Sequence, residues 1–222
     1  MTTLTLLDAA RIIARDYHGW DETYGCRRLS TRSATATVVP WRGRSLLVCQ
    51  GTVGWWDWLG NFRFMPRDWR HTAIEAATAA TVTAEPGEAE RLRWHGDWIA
   101  EANEIWDWLG DTHIDAVLGH SRGAGVGAPI ALTRKVPGIF FAAPRSLAPR
   151  QRFPASQIIN HCHVHDAVSR VVPGWEFPGR VEWHRLPDGL FREAHRIRHW
   201  VAALEAGIVA DEGIGIWPSS PF

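Results

Sequence analysis

The chain has 222 residues, 45% of them hydrophobic, with Lys+Arg and Asp+Glu at 24 each and a formal net charge of zero. That length and apolar share fit one sizeable domain with its own core, and the balanced charge excludes the long-range field that draws a protein to nucleic acid or an anionic membrane. Three cysteines, Cys26, Cys49 and Cys162, are too few and too odd in number for a disulfide framework, so buried thiols are expected. No apolar run approaches a membrane span. Met1-Thr2-Thr3-Leu4 lacks the basic start and long apolar stretch of a signal peptide, and a cytoplasmic protein is expected.

In chain order, Leu7, Ala10, Ala14 and Tyr17 mark one face of a first helix. A Gly/Cys/Arg/Ser stretch follows to about Ser33. Ala34–Pro40 and Ser45–Gln50 read as two strands joined by Trp41-Arg42-Gly43-Arg44, a hairpin. Gly51–Asp68 is loop-like and dense in aromatics, including Trp55, Trp56 and Trp58. Ala73–Ala84 is Ala/Thr-rich and fits either state; Pro86-Gly87 ends it.

Trp98, Ala102, Ile105 and Leu109 then share one helical face, closed by Gly110. Asp115–Gly119 reads as a strand, Gly125–Leu132 as a helix, Ile139–Ala143 and Gln157–His163 as strands, and Arg180–Leu186 as a short strand. Glu193–Leu204 closes the pattern as a helix with Ala194, Ile197, Val201 and Leu204 on one side. Strands alternating with helices predict an α/β sheet. With no linker that divides the chain, one domain over residues 1–222 is expected, with 207–222 a loosely packed tail.

The chemistry concentrates at Ile114–Gly123, where an apolar run enters Gly119-His120-Ser121-Arg122-Gly123 and leaves through Ala124, Gly125, Val126, Gly127 and Ala128. Strand, sharp turn and small-residue helix are the setting of a nucleophile elbow, which exposes the Ser121 hydroxyl while the two glycines clear the crowded backbone. A serine needs a base to take its proton and an acid to orient that base. On such sheets acid and base follow the serine in that order. Asp166, just after the Gln157–His163 strand, is the preferred acid; Asp188, in Leu-Pro-Asp-Gly, has the character of a turn residue. His195 is the preferred base, with His199 one turn later and His184 inside a strand as alternatives.

His161, His163 and His165 alternate along a strand, so they share a face, but no carboxylate cluster evidently completes a metal site. His195 and His199 have the i, i+4 spacing of helical zinc ligands but lack the accompanying glutamate. Gly123, Gly125 and Gly127 miss the dinucleotide-loop spacing. Neither metal nor cofactor is expected.

Six blocks resemble the class 3, fungal-type lipase family. Gly51–Phe62 resembles its Gly-Thr/Ser segment followed by Asp/Asn-Trp, and His95-Gly96-Asp97-Trp98 its His-x-Gly-Phe. Gly119–Gly123 resembles Gly-His-Ser-Leu-Gly, and Phe141–Arg145 resembles Phe-Gly-x-Pro-Arg. Asp166-Ala167-Val168 with Pro173 resembles the Asp-x-Val…Pro around the acid, and Ala194-His195 with Trp200 the segment of the base. The blocks run in family order from about residue 34 to 204. Arg122 replaces the family's Leu, Ala124 replaces a Gly, and the glycine of the His95 block is displaced by one.

The resemblance implies an α/β-hydrolase-type, mostly parallel sheet flanked by helices, and a Ser121–His195–Asp166 triad acting on carboxylic esters through an acyl-enzyme. It implies an oxyanion hole from Thr52 and the N–H of Arg122, Asn61 supporting Thr52, and Trp55, Trp56 and Trp58 as lid aromatics that meet substrate or, transiently, a lipid interface. The partner is an ester or lipid substrate, not nucleic acid. The competing expectation is a non-catalytic relative that keeps the scaffold for ligand or protein binding.

Overall fold

The computed structural model describes residues 3–20, 22–31, 34–51, 66–69, 92–149, 157–170, 173–186 and 195–211. The first helix, α1 (Leu6–His18), begins where the Thr5 side chain accepts the N–H of Asp8 and ends at Gly19. Its buried stripe is Leu6, Ala9, Ala10, Ile12 and Ile13, rotated from the Leu7/Ala10/Ala14/Tyr17 face expected from spacing. Leu7, Ala14 and Tyr17 are partly buried and pack against the same core.

β1 (Arg27–Ser30) lies in the Gly/Cys/Arg/Ser stretch, for which the sequence indicated no element. It pairs antiparallel with β2 (Thr35–Trp41), which turns through Arg42 and Gly43 into β3 (Arg44–Cys49). Both turn residues have positive φ, 47° and 79°, as a two-residue hairpin whose twist matches its strands requires. β4 (Pro66–Asp68) and β5 (Arg93–His95) form a separate antiparallel pair.

α2 (Gly96–Leu109) follows and stops at Gly110. β6 (Ala116–His120) leads into α3 (Arg122–Arg134), then come β7 (Gly138–Phe141), β8 (Ile158–His163), β9 (Arg180–His184) and α4 (Ile197–Glu205). The main sheet has seven strands in the order β1-β2-β3-β6-β7-β8-β9. From β3 onward every pairing is parallel, so the sheet is mostly parallel with helices on both faces.

Successive residues of β3 show the two-sided burial. Leu47 and Cys49 join a core under α2 and α3 with Val117, Phe140 and Ile158. Leu46 and Val48 join the opposite core under α1 and α4 with Leu118, Ile139 and Phe141. β6, β7 and β8 are buried along their whole length, as central parallel strands covered on both faces are. Each fully buried Leu, Ile or Phe contributes about 1.5–3 kcal/mol, so the central strands anchor whatever their carboxyl ends carry.

β8 stops at His163, where the expected strand ends, leaving Asp166 in the following turn, whereas α4 starts at Ile197 instead of Glu193, leaving His195 just before the helix. Beyond α4, Val209 is buried in the α1/α4 core and the Asp211 carboxylate accepts the Leu7 N–H at 2.9 Å. Asp211 and Val209 thereby contact α1 and the α1/α4 core. The Ala73–Ala84 segment and residues 212–222 of the expected tail lie outside the described residues. Cys49 and Cys162 are buried free thiols, Cys26 is half-buried, and burial pushes the Cys162 thiol up to about 12. No described helix is long and apolar enough to cross a membrane.

Candidate active site

The segment Gly119–Gly123 forms the expected sharp passage from β6 into α3. Ser121 sits at its apex with φ 58° and ψ −130°, a conformation that costs a residue with a side chain about 1–3 kcal/mol and persists only where the surroundings enforce it. The Ser121 N–H donates to the Phe141 carbonyl at 3.0 Å, and the Ser121 carbonyl accepts the Ala124 N–H at 2.9 Å. The flanking glycines are required by contact. A Cβ on Gly119 would meet the Gly123 carbonyl oxygen at 2.7 Å, and one on Gly123 would collide with the backbone of Cys49 and Gln50. The elbow is thereby wedged against the end of β3.

His195 lies between Ser121 and Asp166. Its Nε2 is 2.8 Å from Ser121 Oγ, and its Nδ1 is 2.9 Å from Asp166 Oδ2. Asp166 is fully buried and its other oxygen accepts the Val168 N–H at 2.9 Å. The Asp166 N–H donates to the His163 carbonyl, so the turn after β8 locks the carboxylate in place. An ionised carboxylate here can only accept, which puts the proton on Nδ1 and leaves the Nε2 lone pair facing the serine hydroxyl. The alternatives fall elsewhere: His184 Nε2 is 3.1 Å from His161 Nδ1, His199 is on α4 one turn on, and Asp188 lies outside the described residues.

A second chain of bonds braces this line from below, through residues the sequence did not single out for the site. His120 Nε2 is 2.6 Å from the His195 carbonyl, and His120 Nδ1 is 2.9 Å from the Tyr17 hydroxyl. The Gly51 N–H donates to the Tyr17 oxygen at 3.1 Å. Burial, with His195 nearby, pushes the His120 imidazole down to about 3, so it is neutral. The carbonyl of His195 can only accept, so Nε2 carries the proton and Tyr17 donates to Nδ1. One hydrogen-bonded path thus joins the loop leaving β3, α1, the elbow and the backbone of His195. His120 was visible inside the motif; Tyr17 read only as part of an apolar helix face, with its partner 103 residues away.

Arg122 opens α3, so its backbone N–H is one of the first-turn donors of that helix. Its side chain forms an ion pair with the buried carboxylate of Glu101 on α2. Beside it His95 stacks on Trp98, ring centroids 4.1 Å apart, and burial pushes His95 down to about 4. Thr52, Trp55, Trp56, Trp58 and Asn61 lie outside the described residues; Gly51, immediately before Thr52, is buried next to the elbow.

Several solved lipase structures share this arrangement of strands and helices. The Rhizomucor miehei lipase propeptide complex matches with a TM-score of 0.51 at 16% identity, covering 80% of this chain and 64% of that one. The Lip2 lipase of Yarrowia lipolytica matches at 0.50 and 16% identity, covering 70% and 66%. A triacylglycerol lipase from Penicillium expansum matches at 0.52 and 11% identity, covering 84% and 79%. The chain has the fungal-lipase fold. It spans somewhat under two thirds of the first two of these chains. No protein-family model matches it, and no curated protein does. Within this lipase fold, the elbow after β6, the turn after β8 and the segment before α4 converge at the carboxyl ends of the parallel strands, the edge where open α/β sheets carry their sites.

Proposed function

We propose that this chain is a serine hydrolase of carboxylic esters, lipid esters such as acylglycerols or phospholipids among them, working through an acyl-enzyme. The observation that carries the reading is the His195 imidazole bridging Ser121 Oγ at 2.8 Å and Asp166 Oδ2 at 2.9 Å. Ser121 Oγ attacks the ester carbonyl while His195 Nε2 takes the hydroxyl proton. Asp166 fixes the ring and stabilises the imidazolium that forms. The oxyanion is held by the Arg122 N–H and by Thr52, preorganised donors of a kind whose single loss costs about 10²–10³ in turnover. Imidazolium returns its proton to the leaving alcohol, and water, activated by the same nitrogen, releases the acid. No cofactor takes part. Asn61 supports Thr52, and Trp55, Trp56 and Trp58 form the lid that meets the acyl chain or, transiently, a lipid interface.

A fluorophosphonate probe tests the reading. Wild-type protein is expected to be labelled at Ser121, and Ser121→Ala to lose the label. Hydrolysis of short p-nitrophenyl esters is expected to fall by about 10³ or more in His195→Ala. A folded wild type that resists the probe would overturn the enzyme reading in favour of a binding module.

A further inference from the structure

β9 forms one edge of the main sheet, and its parallel register with β8 places His161 opposite Glu182 and His163 opposite His184. Partners in register and residues two apart on one strand share a face, so His161, Glu182 and His184 project together. His161 Nδ1 lies 3.1 Å from His184 Nε2 and 3.4 Å from Glu182 Oε2, and the three ligand atoms all fall within 4.8 Å of one another.

Distances, orientation and chemistry agree on a cation. Nitrogen and oxygen ligands bind zinc at roughly 2.0–2.2 Å in a tetrahedron, which sets neighbouring ligand atoms about 3.3–3.5 Å apart; two edges of the triangle are already close to that length. The other carboxylate oxygen, Glu182 Oε1, is held by Arg180 Nη2 at 2.7 Å. That contact turns Oε2 toward the imidazoles, as outer partners orient metal ligands generally. His161 is buried against Phe141, ring centroids 5.4 Å apart, and Trp200 packs edge-on against His184 at 5.3 Å. Those rings fix the imidazole planes, while Glu182 and His184 remain half-buried at the sheet edge and give an ion a way in.

We propose that His161, Glu182 and His184 form a binding site for a divalent transition-metal ion of the zinc class, tying the edge strand β9 to β8. Two imidazoles and one carboxylate leave one tetrahedral position for water. The ion would brace the edge strand β9 against β8.

His161, His163 and His165, which alternate along this strand, do not form the group themselves: His163 Nδ1 accepts the His165 N–H and His163 Nε2 faces the Leu186 carbonyl.

Chelator-treated full-length protein should bind one equivalent of Zn²⁺ by calorimetry. With Co²⁺ it should develop the intense visible absorption of a tetrahedral N/O site, and added Zn²⁺ should raise its melting temperature. Glu182→Gln and His184→Asn should each weaken Zn²⁺ by at least about 10-fold and abolish the melting shift, while His18→Asn on α1 changes neither. Zinc binding that is absent in the wild type, or undiminished in both variants, overturns the proposal. If His184→Asn does not fold, the half-exposed Glu182→Gln decides alone. None of these readouts depends on Ser121, so labelling by the fluorophosphonate stands or falls separately.

Discussion

Replacing Tyr17 by Phe removes one oxygen and leaves the ring in place. That oxygen accepts the Gly51 N–H at 3.1 Å and donates to His120 Nδ1 at 2.9 Å. Both partners are buried, and a buried polar group left unmatched costs about 1–3 kcal/mol. Two such groups, partly relieved by local relaxation, give an expected loss of about 2–4 kcal/mol, a sizeable share of the roughly 5–15 kcal/mol that holds a domain folded. In urea the midpoint should fall at unchanged slope, and the melting temperature should drop by about 4–16 °C for a domain of this size. Tyr24→Phe is the control: Tyr24 is 50% exposed, and its change should stay within about 0.5 kcal/mol. Because Gly51 adjoins Thr52, ester hydrolysis in Tyr17→Phe should lose kcat more than it gains KM. A Tyr17→Phe midpoint as little changed as that of Tyr24→Phe would refute the hydrogen-bonded path through α1.

Acid should destabilise the fold early. His120 and His95 are held down to about 3 and about 4, whereas unfolded histidine titrates near 6.5, so between pH 6.5 and 4 the unfolded chain binds more protons. Stability is whole above pH 6.5 and falls by about 1.4 kcal/mol per unit for each histidine, about 4 kcal/mol for both by pH 5; equal urea midpoints at pH 7 and pH 5 would contradict this. Gly123→Ala drives a Cβ into the backbone of Cys49 and Gln50 and should cost about 2 kcal/mol or more together with most of the activity. Gly110→Ala, which meets nothing within 4 Å, should cost only the roughly 1–3 kcal/mol of its backbone conformation, φ 53° and ψ −129°, and spare turnover. Glu101→Leu removes the ion-pair partner of the Arg122 guanidinium beside the elbow and should destabilise by about 1–3 kcal/mol, with much of the loss recovered in Glu101→Leu/Arg122→Leu; a double variant no better than the single would show that the ion pair is not what holds α2 to α3.

What the sequence made legible is what is local or repeats with a period. The elbow is written within five residues, because Gly119, Ser121 and Gly123 must each solve a steric problem at one bend. The central strands are legible as short apolar runs, and the order serine, acid, base selects Asp166 and His195, which the fold brings to the same point. β1 was not legible: at the sheet edge its residues Arg27, Arg28 and Ser30 are exposed, so no alternation marks it. The contribution of Tyr17 was not legible either, since a tyrosine at the end of an amphipathic helix has the same pattern whether its hydroxyl meets water or an imidazole. The grouping of His161 with Glu182 and His184 depends on strand register, which single-strand spacing does not contain.

The same contrast bears on how the site is held. Ser121 and Asp166 leave strands that are buried along their whole length, whereas His195 stands on a segment outside the sheet, two residues before α4. A side chain placed that way would lose its aim with small shifts of the segment, and its two ring bonds alone cannot fix the main chain. The bond from His120 to the His195 carbonyl supplies the missing constraint, because it ties the backbone of His195 to the residue preceding Ser121. Serine and imidazole are thus referenced to the same turn of chain, and their 2.8 Å separation is set by β6 rather than by the helix that follows. On this reasoning His120→Ala should misplace the imidazole more than it weakens the fold. The lost turnover should exceed what the fall in stability explains, and a variant that loses both in proportion would show that the bond is only packing.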